Sequence, residues 1–371
     1  MAPYRILHCA DLHLDRAFVE RDLARSAGAR RQALRDAFLR IVERARTCDA
    51  LIIAGDLYEH EHVTGDTANM LSHAFEGLDA RVLLLPGNHD PYLPGSVYER
   101  TQWSANVHVF RRSEPEAVEL RDGLVAWGIA YTGRELDPAI VRPLRAPRDG
   151  RTHLLVLHAA VSPAFATADA GHCPLTPAEL EQTGADSVLL GHFHRGAIEG
   201  IACYPGSPEP LTAGERGVHA VHLIEIDETG IHRALEPFAR LSFEELEIDV
   251  SGTRSAAELE ARLAAEIAPR RDPGRTLTAT MVGEIDPVCE VRTAELARRL
   301  GEGLAALAIR DETQPAIDLE ALAEQPTVEG RFALRMLTRA ADEPARSDLY
   351  LDAARAGLRA LAGQREPVDV G

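Results

Sequence analysis

Five short apolar runs in this chain each lead straight into side chains that bind metals, and this pattern constrains the fold more than any other feature. The runs are Leu7-His8-Cys9-Ala10-Asp11-Leu12-His13, Ile52-Ile53-Ala54-Gly55-Asp56, Leu84-Leu85-Pro86-Gly87-Asn88-His89-Asp90, Leu154-Leu155-Val156-Leu157-His158 and Leu189-Leu190-Gly191-His192-Phe193-His194. Apolar stretches this short read as strands rather than helices. They are apolar at consecutive positions, not alternate ones, so both faces of the sheet they build are covered. That calls for a layered α/β architecture. Ligand sites in such folds form beyond the carboxyl ends of the strands, where residues far apart in sequence converge on one rim.

The side chains at these ends are chemically alike. Asp11, His13, Asp56, Asn88, His158, His192 and His194 offer imidazole nitrogens, carboxylate oxygens and one amide oxygen. Such donors suit Mn²⁺, Fe or Zn²⁺, and the lack of Cys among them disfavours soft-metal sites. Each piece is weak by itself. An Asp-x-His is more often a surface turn or a core pair, and Gly-Asn-His-Asp is most often a bend. Five pieces in order, each at a strand end, point to a metal centre. Asp90 reads as a turn or helix-cap residue.

Strands are expected at Tyr4–His8, Ala50–Ala54, Arg81–Leu85, Leu124–Ala130, His153–Leu157, Ser187–Leu190 and Val218–Ile226, with helices around Leu34–Ala45 and Asp66–Leu78. A shift near Pro237–Phe243 divides the chain. Residues 1–238 form the expected main domain, 239–317 a smaller α+β domain, and 318–371 a helical C-terminal segment with a frayed tail. In the segment 318–371, Leu334, Leu337, Leu358 and Leu361 fall at helical spacing as an apolar stripe. The N-terminus has no basic stretch followed by a long apolar run, so no signal peptide is expected, and no stretch is long enough to span a membrane. Five cysteines without paired spacing fit free thiols in a reducing cytoplasm.

The ordered motifs resemble the calcineurin-like metallophosphoesterase superfamily, a β-sandwich flanked by helices. The resemblance implies two divalent ions, Mn²⁺ foremost with Fe or Zn²⁺ as alternatives. Asp11, His13 and His194 would hold one and Asn88, His158 and His192 the other, with Asp56 bridging both. It implies attack by a water that the two ions acidify, and a catalytic role for His89 beside the phosphate. A carboxylate three residues past the bridging Asp orients that histidine in the phosphatase branch, which here is Glu59; His60 and His62 follow closely, so Glu59 and His60 both stand as candidates.

Ile6-Leu7-His8-Cys9-Ala10-Asp11-Leu12-His13-Leu14-Asp15, His172-Cys173-Pro174-Leu175-Thr176, and Tyr204-Pro205-Gly206-Ser207-Pro208 with Gly214-Glu215-Arg216-Gly217 resemble the DNA-repair exonuclease branch, that of the SbcD and YhaO-like nuclease subunits. This implies DNA as substrate, a second domain capping the active-site rim, and C-terminal helices that bind an SMC-like coiled-coil ATPase. Helices packing on their own domain give the same pattern, and a homodimer stays open. A net charge of −18, with Arg as the only basic residue besides His, opposes a polyanion. Local attraction would fall to Arg16, Arg21, Arg25, Arg30 and Arg31, or to Arg142, Arg145, Arg148 and Arg151, unless these merely neutralise nearby acids. A phosphatase or phosphodiesterase on small phosphoesters or nucleotides is the second reading, and a non-catalytic scaffold for an ATPase the third.

Overall fold

The structure is a computed structural model that describes residues 2–18, 27–161, 172–212, 214–215 and 217–361. Arg21, Arg25, Arg216 and the expected frayed tail lie outside them. The chain divides into two compact units, one of Met1–Glu244 with Gly274–Thr276, the other of Glu245–Pro273 with Leu277–Gly371.

The first unit runs β1 (Tyr4–Cys9), α1 (Ala27–Ala45), β2 (Ala50–Ala54), α2 (Gly65–Glu76), β3 (Arg81–Leu85), α3 (Val97–Arg100), β4 (Val107–Val109), β5 (Glu116–Arg121), β6 (Leu124–Gly128) and β7 (Thr152–His158). It continues through α4 (Pro177–Gln182), β8 (Ser187–Gly191), β9 (Ala197–Glu199), β10 (Ala202–Tyr204), β11 (Ala220–Asp227) and β12 (Gly230–Pro237). Two six-stranded sheets result, ordered β12-β11-β1-β2-β3-β4 and β5-β6-β7-β8-β10-β9. The β1-β2-β3 and β6-β7-β8 neighbours are parallel, so the carboxyl ends of the apolar strands emerge together.

Why the strands are apolar throughout is plain from the packing. Ile6, Ile52, Ala54, Leu83 and Leu85 meet Ala126, Leu154, Val156 and Leu189 between the sheets. The alternate residues Leu7, Leu51, Ile53, Val82 and Leu84 pack outward against Leu34, Phe38 and Ile41 of α1 and Leu71 and Phe75 of α2. Leu155, Leu157, Val188 and Leu190 do the same with Leu180 of α4. Each strand thus serves two cores. The short or half-exposed strands β4, β5, β9 and β12 were not expected from the sequence, because exposed edges carry charged residues that mask the pattern.

The second unit holds most of β13 (Ser242–Asp249) and of β14 (Arg275–Val282), with α5 (Ala256–Ile267), β15 (Glu284–Ile285), α6 (Thr293–Leu300), β16 (Ala306–Asp311), β17 (Gln314–Pro315), α7 (Leu319–Ala323), α8 (Val328–Asp342) and α9 (Ser347–Leu361). Its sheets are β13-β14-β16 and the two-stranded β15-β17, and Leu277, Ala279 and Met281 of β14 pack on Leu259, Leu263 and Ile267 of α5. Helices α7, α8 and α9 close a smaller core around Leu319, Ala333, Ala354 and Leu358. Leu358 is therefore inside this bundle and Leu337 leans on it, which corrects the four-leucine outer stripe; Leu334 and Leu361 are exposed. No helix among the described residues is long and apolar enough to cross a membrane.

Candidate metal centre

The chain turns sharply where each strand delivers its ligand. Asp11, His13, Asp56 and His192 all have positive φ, between 46° and 105°, which non-glycine residues rarely adopt. Strain of this kind persists only where surrounding structure fixes it, and it clusters at functional sites. Here the loops brace one another: the amides of Asp11, His13 and Leu14 bond the carbonyls of Gly55, Asp56 and Leu57. The motif glycines give room. A Cβ on Gly87 would strike the Asp56 carboxylate, and one on Gly191 the Ala54 carbonyl.

The expected ligands come together. Asp11, His13 and His194 place ligand atoms within 4.8 Å of one another, and so do Asp11, Asp56 and His158. Asp56 lies between the sets, its Oδ2 3.6 Å from His13 Nε2 and 3.3 Å from His158 Nε2. Asn88 Oδ1 is 2.9 Å from the same His158 nitrogen. His192 meets the His158 ring edge-on at 5.3 Å, while its amide donates to both Asp11 oxygens. Asp11, Asp56, His13 and His158 are fully buried or nearly so, and His13 Nε2 has no hydrogen-bond partner. Buried carboxylates facing an unsatisfied imidazole nitrogen fit divalent cations, since isolated buried charge is otherwise very costly.

The electrostatics follow from that crowding. Burial pushes the Asp11 carboxyl up, with His158 and His194 pulling the other way. For Asp56 burial is overcome by His158, His13 and His89, which hold it well below the usual range. Burial would lower His158, but Asp56 lifts it to about 9, so a cation binding there must displace a proton.

Beside the ligands sits His89, whose Nδ1 donates to Glu59 Oε2 at 2.9 Å; that bond raises the pKa of the ring. Glu59, not His60, is the side chain that touches the His89 ring. Its other oxygen accepts from His13 Nδ1 at 2.8 Å, so one carboxylate holds both imidazoles. His60 and His89 line a groove of ≈ 440 Å³ together with Asn88, Arg134 and His172.

Two contributions were not visible in the sequence. Asp90 is buried, and accepts from the amides of Asp56, Leu57 and Gly87 and from the Tyr98 hydroxyl, which ties two ligand loops together. It is a staple rather than a surface cap. Glu215 accepts from His194 Nδ1 at 2.9 Å across 21 positions of sequence, a distance no local motif spans. The arginines expected to meet phosphate are largely engaged elsewhere. Arg30 is buried, bonds the Pro210 carbonyl and stacks on Phe18 and Phe243. Arg16 lies 3.8 Å from Glu59, while Arg142 and Arg151 pair with Glu179 and Asp149.

Two clusters of ligand atoms that share Asp11 and meet again at Asp56 suit hydrolysis of phosphate esters, because two close cations can hold both the attacking and the leaving oxygen. The sequence agrees. Residues 4–196, over half of the chain, match the calcineurin-like phosphoesterase family, and the chain belongs to it: it is a metallophosphoesterase, a hydrolase of a family that uses divalent metals. It is 25% identical to the metallophosphoesterase YhaO of Bacillus subtilis (strain 168), over 88% of this chain and 79% of that one. It is 27% identical to the DNA double-strand break repair protein Mre11 of Methanopyrus kandleri, over 99% of this chain and 84% of that one.

Proposed function

We propose that this metallophosphoesterase is a Mn²⁺-dependent phosphodiesterase that cleaves DNA as an exonuclease subunit in repair. The observation that carries the reading is likeness to a break-repair protein over nearly the whole chain, well past the catalytic fold, joined to the Asp11–His13–His194 and Asp11–Asp56–His158 clusters with His89 beside them. Asp11, His13 and His194 would hold one cation, Asn88, His158 and His192 the other, and Asp56 both. Bound there, the cations supply Lewis acidity and an activated water.

The remaining work falls to the chain. Glu59 takes the Nδ1 proton of His89 in a hydrogen bond, which fixes the ring and leaves Nε2 to protonate the leaving oxygen of the ester. The groove beyond His89, walled by His60, Arg134 and His172, takes the flanking nucleotide. The exposed Leu334 and Leu361 on α8 and α9 are the surface for an SMC-like coiled-coil ATPase, and five buried free thiols suit a reducing cytoplasm.

The test is hydrolysis of single-stranded and duplex DNA beside a chromogenic phosphodiester, with and without Mn²⁺. Cleavage of DNA supports the proposal. Turnover of the small ester alone assigns the site to small phosphoesters or nucleotides, and none of either, with metal bound, leaves the scaffold reading.

A further inference from the structure

We infer that the two cation positions are unequal, and that Glu59 and Glu215 make the Asp11–His13–His194 position the tight one. This rests on the metal-centre reading above, and it concerns what lies behind the ligands. Both imidazoles of that position are backed by a carboxylate. His13 Nδ1 donates to Glu59 Oε1 at 2.8 Å, and His194 Nδ1 to Glu215 Oε1 at 2.9 Å. In the other position His158 Nδ1 donates to a neutral acceptor, the Ala54 carbonyl, at 2.9 Å, and Asn88 brings an uncharged amide oxygen.

The charges follow the same division. Glu59 and Glu215 both stand behind this position, whereas Asp11 and Asp56 each lie within reach of His158 as well. A carboxylate that accepts the far N–H of a ligating histidine polarises the ring and strengthens its grip on a cation. Two such pairs act together on one ion only.

The backing groups are themselves held in place, as a deliberate support must be. Leu211 N donates to Glu215 Oε2 at 2.7 Å and the Thr212 hydroxyl to Oε1 at 3.3 Å. Glu215 touches no other proposed ligand and does not line the groove beside His89, so it acts only through His194. It is a positioning residue. Glu59 has a second duty at His89, which makes Glu215 the cleaner probe.

The experiment is a Mn²⁺ titration of the metal-free full chain by calorimetry and electron paramagnetic resonance. The first equivalent should bind as an isolated ion, and a weaker second step should convert that signal into a spin-coupled pair. Glu215→Gln should weaken the tight step about 10–100-fold and leave the loose one in place. Asn88→Ala should weaken the loose step alone. Thermal unfolding of each metal-free variant verifies folding, and the wild-type order of binding tests the inference without any variant. A coupled pair from the first addition, or Glu215→Gln lowering both steps alike or neither, overturns the inequality while the metal centre stands. Failure of the wild type to bind Mn²⁺ overturns both.

Discussion

Asp90 offers the sharpest test of how the site is built. Its Oδ1 accepts from the amides of Asp56 and Gly87 at 3.0 and 2.7 Å, and its Oδ2 from the Leu57 amide and the Tyr98 hydroxyl at 2.7 and 2.6 Å. Burial, then the charge of Asp56, push this carboxyl up to about 7, while Tyr98 and Gly87 pull it down. In Asp90→Asn the remaining carbonyl oxygen can still serve Asp56 and Gly87, and the Tyr98 hydroxyl can turn to accept from the new amide. The Leu57 amide is left facing another donor. One orphaned buried donor plus weaker neutral acceptors amounts to about 2–3 kcal/mol. Asp90→Ala orphans all four donors and should cost about 4 kcal/mol or more. Both tryptophans, Trp103 and Trp127, belong to the first unit, so urea unfolding followed by their fluorescence reports on that unit. An Asn variant within about 0.5 kcal/mol of wild type, the noise level of surface substitutions, would refute the reasoning.

Other outcomes follow from the same geometry. Asp56→Asn should lower metal content at both positions and abolish turnover; full occupancy by elemental analysis with normal activity would remove Asp56 from its central place. His89→Gln should keep the metals and lose ~10²–10⁴ of the hydrolysis rate, with a milder loss for Glu59→Gln and little for His60→Ala. If His89→Gln empties the site, the residue is a ligand instead. Away from the centre, His8 and His222 face each other between the sheets, Nδ1 to Nδ1 at 3.1 Å, and burial drives His222 down to about 3. A histidine neutral in the fold but protonated when unfolded loses stability as pH falls from about 6.5 towards 3, at most ~1.4 kcal/mol per pH unit. Between pH 7 and 5 the wild type should therefore lose up to ~2 kcal/mol more than His222→Gln in urea unfolding, and equal losses would contradict a neutral His222.

The strands that carry ligands were legible because burial on both faces leaves little room for polar residues, so β2, β3 and β8 and the centre of β7 stand out as apolar runs, with β1 broken only by Arg5 and the buried His8. Their motifs were legible for a related reason. Gly87 and Gly191 are dictated by close approach to Asp56 and Ala54, and such constraints write themselves into short fixed spacings. What escaped was whatever depends on distance through space. Glu215 reaches His194 only because β8 and the chain beyond it fold back, and Asp90 looks like any residue at a bend until Tyr98 and three amides close around it. The choice between Glu59 and His60 could not be made by spacing, since both follow Asp56 within one turn; the contact visible only in the fold is the hydrogen bond from the His89 ring to Glu59.

Charge shows the same separation between what a residue is and where it points. At −18 the chain as a whole repels a polyanion, and an arginine count invites the search for a compensating patch. Position removes much of that patch: Arg30 is spent on Pro210 and two aromatic rings, Arg142 and Arg151 on adjacent acids. The acids are not evenly spread either. Asp11, Asp56, Glu59 and Glu215 gather near one another, faced mainly by histidines, with Arg16 3.8 Å from Glu59. Divalent cations held at these residues would be what draws phosphate to this protein. A cluster of carboxylates that sets the bare chain against a polyanion would, by collecting divalent cations, create a place where an ester oxygen is attracted.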